Sequence, residues 1–188
     1  MNVGFALCGS FCTYSKVFPV MELLIRDYQV TPIFSEVSYS TDSRFGSAAE
    51  HIDLARELCG REPLHTIAQV EPIGPKKLFD ILIIAPCTGN TLAKLAHGIA
   101  DGPVTMAAKS HLRNGRPVLI AVSTNDALGS AAENIGRLLN KKHIYFVPFA
   151  QDDPIEKPNS MVADFSAIPK ALEAALENRQ LQPLLLRK

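Results

Sequence analysis

The chain has 188 residues, 47% of them apolar, with 19 basic and 19 acidic side chains. That is enough for one sheet covered by helices on both sides, a single domain over residues 1–188. A net charge of zero argues against bulk electrostatic binding to nucleic acid or an anionic membrane. No apolar run approaches the roughly 20 residues of a transmembrane helix, and the opening MNVGFALCGS is no leader, so a cytoplasmic location is expected.

Residues 3–8 read as an apolar strand, followed by Gly9-Ser10-Phe11-Cys12-Thr13 and a helix over 16–28. Val17, Met21, Leu24, Ile25 and Tyr28 share one face of that helix. Gly9 allows a tight turn, and the amides and hydroxyls after it, at a helix start, suit an anion. The glycines do not form GxGxxG, and no GxxxxGK occurs, so dinucleotide Rossmann and P-loop sites are unsupported.

A second strand over 30–34 leads to a polar loop over 35–46, then a helix over 47–58. The stretch EPIGPKK, 71–77, with two prolines and a glycine, reads as loop. The segment DILIIAPCTGNTLAKLAHGIAD, 80–101, carries the strongest signal. Residues 81–85 form an unbroken apolar run, as in a parallel strand buried on both faces. Pro86 ends it; Cys87, Thr88, Gly89, Asn90 and Thr91 make a small polar loop; Leu92, Leu95, Ala96 and Ile99 then recur at helical spacing over 90–99. A short helix over 104–112 ends at Asn114-Gly115, the latter in the left-handed cap conformation. A strand over 117–122 gives way to Ser123-Thr124-Asn125-Asp126 and a helix over 131–140. The last strand, 144–147, precedes a long loop over 148–161 and a helix over 166–178. The tail, 180–188, is apolar at 184–186 and suited to docking on a neighbour.

Strands alternating with helices imply a doubly wound parallel sheet of five or six strands in three α/β/α layers. The loops after the first four strands then share one edge, where such sheets bind ligands. Their hydroxyls and amides (Ser10, Ser35, Thr88, Asn90, Thr91, Ser123) suit a phosphate and a flat hydrogen-bonding ring, as in flavin mononucleotide. Each taken singly is also an ordinary cap or turn residue. Of the four cysteines, Cys8 and Cys59 read as core, whereas Cys12 and Cys87 fall in ligand-side loops and are candidate thiolates; no zinc spacing is present.

The 80–101 segment resembles the signature of the flavodoxin-like flavoprotein family, which includes cysteine-type decarboxylases and flavin prenyltransferases. The matching positions are Ala85, Pro86, Asn90, Thr91, Leu92, Ala93, Lys94, Ala100 and Asp101, together with the phosphate contact Gly9-Ser10. The resemblance implies a flavodoxin-like fold, FMN at Gly9, Ser10, Ser35, Pro86, Thr88, Asn90, Thr91 and Ser123, and trimer-based self-association. Departures are as informative. Pro72 stands where the decarboxylases have a histidine, and only Asn125 survives of their substrate clamp. Gly89-Asn90 replace the methionine-lysine of the prenyltransferases. Both reactions therefore lose expected groups and stay as alternatives.

RFG (44–46), EPIGPK, AAKSHLRNGRPV, STNDALG and QDDPIEKPNSMVA (151–163) resemble a narrower branch of the family. There the chain is one of two unlike subunits of a sporulation enzyme that oxidises a dihydropyridine dicarboxylate. That resemblance implies a partner chain carrying NAD(P), and a site for a dianion built from Arg44, Asn125 and Lys157. Arg44 and Lys157 could equally pair with Asp42, Asp152 or Asp153. A non-catalytic structural role for the chain is the further alternative.

Overall fold

A computed structural model of the chain describes residues 1–187. β1 (Asn2–Leu7) leads through a 3-10 turn (Phe11–Thr13) into α1 (Tyr14–Leu24), and β2 (Gln29–Phe34) into α2 (Glu36–Ser40) and α3 (Ala48–Cys59). After α4 (Ile67–Val70), β3 (Ile81–Cys87) feeds α5 (Gly89–His97) and α6 (Pro103–Leu112). β4 (Val118–Thr124) is followed by α7 (Ser130–Leu139) and β5 (Ile144–Phe146). β6 (Phe149–Asp153), β7 (Lys157–Ala163) and α8 (Ile168–Leu176) complete the order.

Every residue of β3 is buried, as the unbroken apolar run requires. Such a strand needs cover on both faces. On one face α1 packs with α3 and α8; on the other, α5 packs with α6 and α7. β1 pairs in parallel with both β2 and β3, placing Val3 opposite Val30 and Ile81, and β3 pairs in parallel with β4 from Leu82 opposite Val118. This is the flavodoxin-like α/β arrangement. The loops after β1, β2, β3 and β4 accordingly leave from one edge. Gly115, at φ 66°, takes the expected left-handed conformation two residues past the C-cap of α6.

The sheet has seven strands rather than five or six, and it is not wholly parallel. Residues 148–161, expected as loop, instead contribute the antiparallel hairpin β6–β7. Two prolines conceal it in the sequence. Pro154 lies in the turn, where Asp153 Oδ1 accepts from the amides of Ile155 (3.1 Å) and Glu156 (3.0 Å). Pro158 lies in β7 beyond the two residues, Met161 and Val162, that pair with β4.

The 35–46 loop contains α2, with Ser35 as its N-cap, and a capping box of Thr66 and Gln69 starts α4 just before the 71–77 stretch. Glu71–Ile73 in that stretch is a 3-10 turn rather than open loop. Cys87 belongs to β3, not to the loop after it. The tail docks on its own chain: the Phe149 amide donates to Leu184 O (3.0 Å), and the Leu186 amide to Phe149 O (3.0 Å). Lys188, the end of that predicted segment, lies outside the described residues.

Behind β4, His111 is 1% exposed, with its Nε2 3.0 Å from Pro117 O. Burial pushes its pKa down to about 4, against the upward pull of that carbonyl. The folded state therefore prefers the neutral ring. The associated stability is full above the unfolded value of about 6.5 and is lost as pH falls toward 4, on the order of 3 kcal/mol in all. Comparing urea midpoints of wild type and His111→Gln should show the wild type's advantage shrinking across that window.

Candidate functional site

The four loops and the β6–β7 hairpin enclose a cleft of about 610 Å³ at the carboxyl edge of the sheet. Gly9, Ser10, Cys12 and Thr13 come from the first loop, and Ser43, Arg44 and Phe45 from the second. Thr88 comes from the third, and Ser123, Thr124 and Asn125 from the end of β4 and beyond. The hairpin supplies Asp152, Lys157, Ser160 and Val162. A second cavity of about 280 Å³ adjoins it through Gly9 and Thr88, and is lined by Ser35, Asn90, Thr91 and Lys94.

All three residues expected to hold a dianion, Arg44, Asn125 and Lys157, line the larger cleft. The expected cofactor residues divide. Ser10 and Ser123 line the larger cleft, Ser35, Asn90 and Thr91 the smaller, and Gly9 and Thr88 both. Pro86 lines neither; it is buried within β3.

The hydroxyls also serve the fold. Ser35 Oγ accepts from the Ser38 amide (3.2 Å), and Thr88 Oγ1 from the Thr91 amide (3.4 Å), so both are N-caps. Thr91 Oγ1 lies 3.4 Å from Cys8 Sγ. Ser10 Oγ and Ser123 Oγ, 113 residues apart, are 2.8 Å from each other and tie the first loop to the fourth.

Two glycines set how closely the loops approach. A Cβ on Gly9 would lie 3.0 Å from Val37 Cγ1 of α2. One on Gly89 would lie 2.8 Å from both Asp126 Oδ1 and Thr124 Oγ1, and the Thr124 hydroxyl donates to that carboxylate. A side chain as long as methionine has no room at Gly89 while this fourth loop stays in place.

Charge in the larger cleft is mostly positive. Arg44 sits on a tight turn closed by the Ser43 and Gly46 amides and carbonyls, and its guanidinium lies 4.8 Å above the Phe45 ring. No ion pair joins it to Asp42 among the described residues; Asp42 Oδ1 accepts the Ala48 amide (2.9 Å) at the start of α3. Lys157 does pair, with Asp152 at 2.9 Å, and that carboxylate holds its pKa above the usual lysine range. Lys16, from the first turn of α1, is a third cation on the lining. Sequence reasoning missed it, because an exposed lysine in a helix reads as solvated surface. It missed Ser160 as well, which is 1% exposed and lines the cleft from within the unrecognised hairpin.

The cysteines divide sharply. Cys8 and Cys87 are buried, and desolvation pushes the Cys8 thiol up to about 11 and the Cys87 thiol well above its ordinary value. Cys87 is thus no thiolate nucleophile at neutral pH. Cys12 is exposed, 3.8 Å from Ser10 Oγ.

A cleft lined by charged and hydroxyl-bearing side chains at the carboxyl edge of a doubly wound sheet is where flavodoxin-like proteins of this architecture place their sites. The chain belongs to the Flavoprotein family, whose pattern matches residues 1–172. It is 48% identical over 186 residues to the B-type subunit of dipicolinate synthase from Bacillus subtilis, covering 98% of this chain and 93% of that one. The crystal structure of the corresponding dipicolinate synthase subunit from Bacillus halodurans superposes with a TM-score of 0.91 at 46% identity, over 100% of this chain and 96% of that one. The FMN-dependent cysteine decarboxylase SpaF shares the fold, with a TM-score of 0.67 at 22% identity, over 93% and 97% of the two chains.

The contact between Ser10 and Ser123 is open to a direct measurement. In a double-mutant cycle with Ser10→Ala and Ser123→Ala, urea unfolding should show a coupling of about 1 kcal/mol. Additive losses would mean that the two loops are held together by other contacts.

Proposed function

We propose that this chain acts as the B-type subunit of a dipicolinate synthase. Together with its A-type partner, which binds NAD(P), it oxidises dihydrodipicolinate to dipicolinate. The observation that carries this reading is the co-location of Arg44, Asn125 and Lys157 on one cleft of a chain 48% identical to such a protein. A dianion taken from water needs paired cations and amide donors. Here Arg44, Lys16 and Lys157 surround the cleft, and the exposed Asn125 offers an amide. The absence of a GxGxxG fingerprint supports assigning the nicotinamide to the partner chain. The setting of the reading is the cytoplasm of a sporulating cell.

The residues present also fit a flavin. Ser35 from the second loop, Thr88 and Thr91 at the N-terminus of α5, and the close approach at Gly9 suit a phosphate in the smaller cavity. Gly9, Ser10, Ser35, Thr88, Asn90, Thr91 and Ser123 would hold FMN, which when bound supplies two-electron chemistry beside the dianion site. Pro86 is left out of this set because it is buried in β3. The self-association in this reading is trimer-based, through α5 and α6, which carry the segments that resemble the family's contact elements.

Decarboxylation is the weaker alternative. Pro72, where those enzymes have histidine, cannot transfer a proton, and it lies in the 3-10 turn packed against α6. Prenyl transfer fares no better, since Gly89 has no space for the methionine expected there.

Reconstitution tests the reading. Neither chain by itself should form dipicolinate from dihydrodipicolinate and NAD(P)+, and the mixture should. Turnover by this chain alone at the rate of the mixture would overturn the division of labour. In the mixture, Arg44→Ala should raise KM about tenfold or more, since a charge-assisted contact is worth about 1.5–3 kcal/mol. Arg44→Lys should restore only part of this loss, because a lysine lacks the bidentate fork.

A further inference from the structure

Oxidation of a dihydropyridine to a pyridine removes two hydrogens in different forms. One ring C–H bond leaves with its electron pair as hydride, accepted by oxidised NAD(P), which becomes NAD(P)H. A neighbouring C–H bond breaks the other way: its proton departs and its electron pair completes the last ring double bond. The proton needs an acceptor placed beside the ring.

The cleft offers hydroxyls, the Cys12 thiol, lysines and one carboxylate as candidates. The hydroxyls of Ser10, Thr88, Ser123, Thr124 and Ser160 are too weakly basic. Lys157 is held in its charged form by its ion pair. Among the described residues that line the cleft, Asp152 is the one carboxylate. It is half-buried, on β6, 2.9 Å from Lys157 Nζ. A carboxylate there opposes the binding of a dianion, so substrate affinity gives no account of its position. A base does.

We infer that Asp152 is the general base of the reaction, accepting the ring proton while the dicarboxylate is held by Arg44, Lys157 and Asn125. The assignment rests on the functional reading above and deepens it. The proton passes from a ring carbon to an Asp152 oxygen and then to solvent through the open mouth of the cleft. The 2.9 Å contact with Lys157 fixes where the Asp152 carboxylate sits on the wall of the cleft. Other charged residues line the same cavities. Lys16 lies on α1, Arg44 on the second loop, and Asp164 and Arg187 line an adjoining cavity that also contains Asp152 and Lys16. Cys12 from the first loop interacts electrostatically with Lys157.

The test uses this chain mixed with its NAD(P)-binding partner. Asp152→Asn should lower kcat at least 100-fold, while KM and the calorimetric affinity for dipicolinate stay unchanged or tighten. Its residual activity should lose the acidic limb of the wild-type kcat–pH profile. Asp152→Glu, which keeps the carboxylate, should recover part of kcat together with that limb. Lys157→Gln should differ in kind, raising KM and moving the limb to higher pH, because the base loses its cation. If Asp152 only positions Lys157, Asp152→Asn will reproduce the Lys157→Gln phenotype, and the assignment fails. It fails also if Asp152→Asn, shown by dipicolinate binding to be folded, keeps kcat within threefold of wild type. A wild-type mixture that forms no dipicolinate overturns the functional reading itself, and this assignment with it.

Discussion

Strand β4 is longer than the neighbour that should cover it, and the rest of the site follows from that mismatch. Its first half pairs with β5, but β5 ends at Phe146, opposite Ile120. Ser123 and Thr124 would then present unpaired amides and carbonyls beside the core. The chain meets this need by turning back: β7 pairs antiparallel with those two residues, and β6 pairs with β7. A second tie, from the Leu128 amide to Asn159 O (3.0 Å), fastens the fourth loop to the same hairpin. The hairpin's outer edge is covered in turn by the tail, through Phe149. Satisfying two residues of backbone thus builds a wall on the ligand edge, and that wall carries Asp152, Lys157 and Ser160.

What was legible in the sequence tracks how local the signal was. β1, β2, β3, β4 and the helices after them follow from apolar runs and helical spacing, which a few consecutive residues encode. So do the ligand-side loops, because a strand buried on both faces must end before polar residues begin. The hairpin was illegible for a non-local reason. Asp-, Pro- and Lys-rich residues at 152–158 have no alternating apolar pattern, and β7 owes its pairing to a gap beside β4 that no nearby residue reports. Cys87 was misplaced by the opposite error: Pro86 suggests the end of a strand, yet the pairing of β3 with β4 resumes at Cys87 opposite Val122. Arg44, Asn125 and Lys157 were placed together on one sheet edge, and they line one cleft, but geometry was needed to separate the two cavities and to add Lys16.

The hydroxyl-bearing loops show that structural and ligand roles are not exclusive. Ser35 and Thr88 cap helices, and Ser10 and Ser123 hold each other, so each already has a reason to be there. Ser35 and Thr88 each accept an amide and also meet a second hydroxyl, Ser38 Oγ at 2.8 Å and Thr91 Oγ1 at 3.2 Å, which leaves each with capacity for one further group. The same contacts fix each hydroxyl's direction before any ligand arrives, which reduces the ordering cost of binding. A loop edge built from caps is therefore preorganised in a way that a set of free side chains is not.

The charges on that edge are unevenly committed. Arg44 has no carboxylate partner among the described residues and rests on Phe45, so its donors stay available at little conformational cost. Lys157 is tied to Asp152, which lowers the net charge of the wall without removing the cation. A monoanion could be satisfied by Arg44 alone. A second carboxylate has to compete with Asp152 for Lys157 or take the Asn125 amide and Lys16. In the proposed reading, a ligand with two separated anionic groups would engage both walls of the cleft, with its middle between the second loop and β6, beside Asp152.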